Sequence, residues 1–289
     1  MLGLDPDPRR LWPQAVEPVG GAGANSVPPT ARAARAVQTH CELVIDAAAP
    51  ECVAVKPQIA CFEALGAPGW EALAAVVQAA HAAGLLVIAD AKRGDVESSA
   101  AAYARAYFGE TETPFGAAPS LGVDALTVNP LLGSDSVAPL LTRARANDAG
   151  LFLLARTSNR SAGELQGLRL EGGGTVSERA ARLIDDLGRD GVGAAGLSDV
   201  GAVVGATAPQ LIERLRELMP HAILLIPGVG AQGGRVEDLA AAFARSPAGG
   251  LISASRSLVF AHERDGGDPT LATRREAARL RDLAWQLSS

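Results

Sequence analysis

Lysine is nearly absent from this chain, although basic residues are not. Of its 26 Lys and Arg residues, only Lys56 and Lys92 are lysines. Arginine carries a permanent planar charge, whereas the lysine ammonium can give up a proton, so a site that needs this proton does not accept arginine. Both lysines follow apolar, strand-like runs, and they are therefore candidates for a chemical role.

Other scarcities exclude whole classes of protein. The three cysteines have no C-x-x-C spacing and no histidine pattern nearby, so buried free thiols are expected rather than a zinc site. A net charge of −6 without a basic cluster argues against a nucleic-acid or anionic membrane surface. Neither a signal peptide nor a membrane span is indicated, and we expect a cytoplasmic protein.

The chain repeats a strand and then a helix. Helical spacing is seen in Trp70, Leu73, Ala74 and Val77, and Thr207 to Gln210 predicts a capping box before another helix. Almost wholly apolar runs predict eight buried parallel strands: Leu2–Asp5, Cys52–Lys56, Leu85–Asp90, Ala125–Asn129, Leu151–Thr157, Ala202–Ala206, Ile223–Pro227 and Gly250–Ser255.

Eight such units predict a (β/α)8 TIM barrel, with a doubly wound open sheet as the alternative. We expect one domain over residues 1–289, possibly with a truncated first strand, and a long Pro/Gly-rich loop over residues 6–30. Polar residues lie at nearly every strand end, where barrel enzymes place their chemistry. They are Asp5, Lys56, Asp90, Lys92, Asn129, Ser158, Thr207, Gln232 and Arg256.

The stretch "VIADAKRGD" ends the third strand in alternating charges. Side chains two apart on a strand share a face, so Asp90 and Lys92 are expected to project into the barrel mouth, with Asp95 beyond the strand end. Lys56 from the preceding strand can reach the same place, and an ammonium flanked by carboxylates stays protonated as a ready proton donor. The alternative is a buried ion-pair network that only closes the barrel.

Glycines follow the seventh strand in "IPGVGAQGG". Gly228, Gly230 and Gly233 match the dinucleotide fingerprint G-x-G-x-x-G, but the acidic residue expected about 20 positions later is missing. A phosphate site is favoured instead, because the loops after strands 7 and 8 hold phosphate in this fold. Backbone N–H groups at the glycines, the Gln232 side chain and Arg256 are its expected donors.

Taken in order and spacing, several segments resemble one known family: "LGLDPDP", "VAVKPQIACFEALG", "VIADAKRGD", "TVNPLLGSDS", "LLARTSN", "VVGATAP", "LIPGVGAQGG" and "LISASR". The resemblance is to orotidine 5′-phosphate decarboxylase, in its longer bacterial, mycobacterial-like subfamily, and covers nearly the whole chain. It implies conversion of orotidine monophosphate to UMP and CO2 in pyrimidine synthesis, without a cofactor or metal.

The same resemblance implies a role for each matching residue. Lys92 would protonate C6 of the pyrimidine, Asp90 would lie beside the departing carboxylate, and Lys56 would bond to Asp90 and a ribose hydroxyl. Substrate-binding positions would be Asp5, Asn129, Ser158, Gln232, Arg256, Gly230 and Gly233. A homodimer is also implied, with Asp95 and Ser99 reaching into the partner's site.

Two alternatives stay open at this point. A magnesium-dependent sugar-phosphate decarboxylase or aldolase shares D-x-K-x-x-D, although "RTSN" and the second lysine in "VKP" favour the nucleotide enzyme. A non-catalytic phosphosugar-binding barrel is the other, and the intact Asp90, Lys92 and Asp95 argue against it. A nicotinamide-dependent oxidoreductase, suggested by the incomplete glycine motif, is the weakest option.

Overall fold

The fold is built on parallel strands, seen in a computed structural model that describes residues 1–20, 26–230 and 232–288. The strands are β1 (Leu2–Leu4), β2 (Ala54–Pro57), β3 (Leu86–Arg93), β4 (Glu110–Thr113), β5 (Gly116–Pro119), β6 (Ala125–Val128), β7 (Gly150–Arg156), β8 (Val200–Val204), β9 (Leu224–Ile226) and β10 (Gly250–Ile252). Eight of the strands in these ranges form one sheet, β1-β2-β3-β6-β7-β8-β9-β10. They coincide, within a few residues at each end, with the eight strands expected from the apolar runs.

Helices separate the strands of the eight-stranded sheet as the alternating pattern predicts, except that a 3-10 helix, Val236–Phe243, lies between β9 and β10. The α-helices are α1 (Pro13–Val16), α2 (Pro29–Ala48), α3 (Ile59–Glu63), α4 (Gly66–Ala82), α5 (Glu97–Tyr107), α6 (Ser134–Arg145), α7 (Ala162–Gln166), α8 (Val176–Gly188), α9 (Ile212–Leu218), α10 (Arg256–Val259), α11 (Ala261–Asp265) and α12 (Pro269–Ser288). No helix in the described part of the chain is long and apolar enough to cross a membrane.

Contacts divide the chain into two compact units. The first comprises Met1–Ala91 with Ser255–Arg281, and the second comprises Lys92–Ala254 with Asp282–Ser289. In the first unit α2 packs on α4, and β1 is a three-residue strand paired in parallel with β2. In the second, α8 packs on β7 and β8, and α5 packs on α6. The expectation of one domain over residues 1–289 stays a prediction.

The predicted loop over residues 6–30 needs correction. Pro13–Val16 forms α1, a 3-10 turn follows at Glu17–Val19, and α2 begins at Pro29. Proline is favoured in the first turn of a helix, because its missing N–H has no intrahelical partner there and its φ is already helical. Prolines that indicated a loop therefore begin helices, while the part of the loop at residues 21–25 lies outside the described residues.

An antiparallel hairpin was not expected from the sequence. β4 and β5 pair through Glu110↔Pro119 and Thr113↔Gly116, and Phe115 at the turn is 98% exposed. Neither strand has the alternating apolar pattern of a half-buried strand, because both faces of the hairpin are largely exposed to solvent. The hairpin is an insertion between β3 and β6.

The predicted capping box at Thr207 is also wrong. The residue that precedes the 3-10 turn there is Ala208, not Thr207, and the alanine side chain cannot form a cap. The Thr207 hydroxyl instead donates to the Ser158 carbonyl, 3.3 Å away. The capping box that does form begins α8, where Thr175 and Glu178 bond to each other's backbone N–H groups.

Candidate active site

A buried ion pair joins β2 to the middle of β3 in the first unit. The Nζ atom of Lys56 lies 2.5 Å from Oδ2 of Asp90, and the two residues are 6% and 7% exposed. The Gln58 amide donates to the same oxygen at 3.2 Å. Burying charge is costly unless it is paired and hydrogen-bonded, and this arrangement supplies both.

Strand register explains why these side chains meet. β2 and β3 pair in parallel through Ala54↔Leu86 and Val55↔Val87, and an isolated bridge joins Gln58 to Asp90. Lys56 and Gln58 are two residues apart, so they face the same side of the strand. Gln58 was missed by the sequence analysis, although its spacing from Lys56 in "VKPQ" was the available signal.

Two other candidate residues of the first unit are exposed. Asp5 follows β1, and Arg256 is the first residue of α10. Burial and, to a smaller extent, the charge of Asp5 raise the pKa of the Cys61 thiol to about 11, against the opposing charge of Lys56. Cys61 is therefore an unreactive thiol. All three cysteines are free, as expected, but only Cys41 is buried, whereas Cys52 and Cys61 are half-buried.

Lys92, the first residue of the second unit, has an unusual backbone. Its φ is 48°, in the left-handed region that residues other than glycine rarely adopt. Its backbone N–H donates to Oγ1 of Thr127 at 2.8 Å, and Thr127 is 1% exposed. Regular alternation along β3 therefore does not set the direction of this side chain, and Lys92 itself is exposed.

The loop after Lys92 lies against the end of β6. The Asn129 N–H donates to the Arg93 carbonyl at 2.8 Å. A Cβ atom at Gly94 would stand 2.7 Å from the Asn129 carbonyl oxygen, so only glycine allows this close approach. Asn129 Oδ1 accepts the Leu131 N–H, and Asp95 Oδ1 accepts the Val96 N–H. Ser99 lies in the first turn of α5 and is half-buried.

Ser158, Gly228 and Gln232 come together at the ends of β7 and β9. A Cβ placed on Gly228 would meet Gln232 Oε1 at 2.9 Å and Ser158 Cβ at 3.2 Å. Gly205, after β8, is equally close to the Ser158 backbone. The structure thus gathers the predicted base-binding serine and the predicted phosphate-binding glutamine in one place.

The glycine turn satisfies its own backbone. Gly230 N–H donates to the Gly234 carbonyl at 2.9 Å, and Gly233 N–H donates to the Gly230 carbonyl at 2.8 Å. All three motif glycines have positive φ, so they shape a tight turn. In this conformation the side chain of Gln232, rather than these two N–H groups, is the donor open to a ligand.

The fold and these strand ends define a class of protein. Eight parallel strands alternate with helices. Charged and polar side chains lie in β2 and β3 and just after β6, β7 and β9, which is typical of enzymes with a TIM-barrel-like fold. Within the residues that the structure describes, no three His, Cys, Asp or Glu side chains gather so as to hold a metal ion.

Known proteins narrow the class to one family. The sequence model of the Orotidine 5′-phosphate decarboxylase / HUMPS family matches residues 2–265. The orotidine 5′-phosphate decarboxylase of Rhodopirellula baltica is 43% identical over 267 residues, which cover 91% of this chain and 84% of the relative. That of Deinococcus radiodurans is 45% identical over 240 residues, covering 83% and 81%.

Solved structures agree with this assignment. A crystal structure from Streptomyces avermitilis matches with a TM-score of 0.76 at 32% identity, covering 99% of this chain and 90% of the other. The OMP decarboxylase of Leishmania donovani matches with a TM-score of 0.70 at 29% identity, covering 98% and 92%. This chain belongs to the orotidine 5′-phosphate decarboxylase family, which confirms the resemblance and the TIM-barrel-like fold expected from the sequence.

Proposed function

We propose that this enzyme converts orotidine 5′-phosphate to UMP and CO2, with Lys92 as the proton donor to C6. Membership of the family supports the proposed reaction. The buried ion pair of Lys56 and Asp90 supports the proposed location of the active site. The sugar-phosphate alternative is not favoured, because the similar curated relatives are named orotidine 5′-phosphate decarboxylases.

Asp90 is proposed to lie beside the substrate carboxylate. Lys56 and Gln58 both donate to its Oδ2 atom, which fixes the carboxylate before substrate arrives. As CO2 departs, negative charge moves onto C6, and a nearby cation stabilises it without reorganisation of solvent. Lys92 is proposed as that cation, and transfer of its proton to C6 completes UMP.

The remaining candidates are proposed to bind the substrate's other groups. Asp5 and Lys56 would take ribose hydroxyls, Ser158 and Asn129 the base region, and Gln232 with Arg256 the phosphate. Gln232 and Ser158 are already gathered around Gly228 in the second unit, which supports their shared part in binding. Gly230 and Gly233 would give N–H groups to the phosphate only if their bonds within the turn were exchanged.

A homodimer is part of the proposal, with Asp95 and Ser99 serving the partner's site. Large apolar side chains are exposed next to Asp95 and just after Asn129: Val96 is 61% exposed, Leu131 68% and Leu132 51%. Because the loop carrying Asp95 packs on the end of β6, these side chains lie on adjoining segments. Such exposed apolar surface is typical of an interface.

Mixed dimers test the shared site. Lys92→Ala and Asp95→Asn are each expected to be inactive alone. If Asp95 serves the partner's site, random mixing of the two variants gives mixed dimers with one intact site, and about a quarter of wild-type activity returns. No recovery after subunit exchange, confirmed by native mass spectrometry of the mixed dimer, would show that each chain uses its own Asp95.

Turnover with a chelator tests the reaction itself. We expect the purified protein to remove orotidine 5′-phosphate absorbance equally with and without EDTA, because the family resemblance implies no metal. Activity lost with EDTA and restored by Mg²⁺ would favour the sugar-phosphate chemistry instead. The cytoplasmic location expected from the sequence stays a prediction.

A further inference from the structure

A charged cavity lies in the second unit, apart from the residues proposed for catalysis. Its volume is about 460 Å³, within the usual range for ligand sites. Four arginines line it, and we name it the arginine cavity: Arg169, Arg179, Arg182 and Arg214. None of the candidate active-site residues is among its lining.

Glu178, the single acidic residue of the lining, already has partners for both of its carboxylate oxygens. Glu178 Oε1 pairs with Arg214 at 3.0 Å, and Glu178 Oε2 accepts the Thr175 N–H of the capping box at 3.0 Å. Bonding to Arg214 lowers the pKa of Glu178 below its usual value, so this carboxylate is ionised. Arg214 pairs also with Glu217 at 2.9 Å. One arginine is thereby neutralised, and three are left.

Those three arginines are not directly paired within the described residues, although Arg182 is near enough to Glu178 for its charge to lower the pKa of that carboxyl. Over residues 1–20, 26–230 and 232–288, neither Arg169, Arg179 nor Arg182 forms an ion pair. Arg179 and Arg182 are three residues apart on α8, where like charges repel each other. Asp186, on the next turn, is paired with Arg189 at 2.7 Å. An anion held among the three would remove this repulsion.

The rest of the wall indicates which anion fits. A Cβ added at Gly172 or Gly173 would meet nothing within 4 Å, so the backbone of this loop is open to the cavity side and to solvent. Leu170 is the only large apolar residue in the lining, which leaves no face for stacking a base or burying an acyl chain. Guanidinium forks bind the several oxygens of phosphate groups well.

We propose that the arginine cavity binds a diphosphate or triphosphate group, whether inorganic or the phosphate chain of a nucleotide. The volume exceeds what one phosphate fills, and three separate arginines suit a chain that carries several charges. This site is independent of the proposed decarboxylase site, because no residue is shared between them.

Calorimetric titration with inorganic pyrophosphate tests the proposal. UMP is present in excess, so that the proposed active site is occupied. We expect one pyrophosphate per chain, bound at least about tenfold more weakly by the double variant Arg179→Gln/Arg182→Gln. Arg189→Gln is the matched control on the next turn, since Arg189 is already paired with Asp186. Orotidylate turnover should be unchanged in both variants.

Thermal unfolding separates a binding role from a structural one. Without ligand, the double variant should unfold at the same or a higher temperature than wild type, because repulsion is relieved; pyrophosphate should stabilise wild type alone. UTP replaces pyrophosphate in a second arm: equal affinity identifies the phosphate chain as the ligand, and tighter binding identifies a nucleotide.

Three results would overturn the proposal: pyrophosphate binding that UMP abolishes, binding that the double variant retains, or no binding to wild type. If UMP itself fails to bind while pyrophosphate binding depends on Arg179 and Arg182, the decarboxylase proposal fails and the arginine cavity stands.

Discussion

The backbone N–H of Lys92 and the buried hydroxyl of Thr127 are joined by a 2.8 Å hydrogen bond across neighbouring strands β3 and β6. This bond anchors a lysine whose φ of 48° costs about 1–3 kcal/mol and persists only where surrounding contacts enforce it. Backbone strain at a candidate proton donor is typical of sites where geometry matters for chemistry.

Thr127→Val should therefore impair turnover more than substrate binding. Valine keeps the shape but leaves the Lys92 N–H without this acceptor, which costs about 1–3 kcal/mol. We expect kcat to fall about tenfold with little change in KM. Thr127→Ser is the control, since its hydroxyl can restore the bond; equal kcat values in the valine variant and wild type would contradict the anchoring role.

The Lys56 and Asp90 pair should show strong energetic coupling. Removing one partner of a buried ion pair costs about 3–5 kcal/mol, because the other charge stays buried. We expect Lys56→Met to lower the free energy of unfolding by this amount in urea. The double variant Lys56→Met/Asp90→Asn should recover part of the loss, whereas additive losses would show that the two side chains do not interact.

Acid should destabilise the protein through His40. Burial lowers the pKa of His40 to about 4, with the charge of His262 adding to the effect, and its Nδ1 accepts the Trp12 N–H at 3.1 Å. The unfolded chain binds a proton near pH 6.5, while the folded chain does not until about pH 4. The contribution of neutral His40 to the free energy of unfolding is therefore fully present above pH 6.5, and it is lost as the pH falls toward 4.

Urea unfolding at two pH values measures this contribution. Between pH 7.5 and 5.0, His40 should remove about 2 kcal/mol from the free energy of unfolding. His40→Gln keeps a hydrogen-bond acceptor but has no proton to take up, so its loss over the same range should be smaller by about that amount. Parallel losses in the two proteins would exclude His40 as the cause.

Arg216 should be a major structural residue of the second unit. It is 3% exposed, and burial lowers its pKa to about 10. Its guanidinium donates to the backbone carbonyls of Met219, Pro220, Ala222, Ala242 and Gly249. Arg216→Met should lower the unfolding free energy by about 3 kcal/mol, since several buried carbonyls lose a charged donor.

An exposed arginine provides the comparison for Arg216. Arg189→Met removes only a surface pair with Asp186 and should change the free energy of unfolding by less than about 1 kcal/mol. Similar losses in the two variants would mean that the carbonyl bonds of Arg216 contribute little.

Sequence patterns predicted the sheet well because buried parallel strands need continuous apolar runs. They failed at the β4–β5 hairpin, because it is exposed on both faces and has no apolar pattern. They also failed where Pro13 and Pro29 begin helices inside a predicted loop. Candidate site residues were predicted from polar residues at strand ends and from the family resemblance, and their roles stay predictions. Thr127 was missed because its role depends on the φ of Lys92, which no local pattern encodes. The spacing of Gln58 from Lys56 was a local signal, but its bond to Asp90 depends on the register of β2 and β3.

Replacement of Lys92 tests the central claim most directly. Lys92→Arg keeps a cation that cannot release its proton, and Lys92→Ala removes the charge altogether. Turnover of orotidine 5′-phosphate should fall by at least about 10³-fold in both variants, while UMP still binds. The arginine variant loses general acid catalysis, and the alanine variant loses charge stabilisation as well. If either variant kept more than about a tenth of wild-type turnover, Lys92 would not be the proton donor to C6.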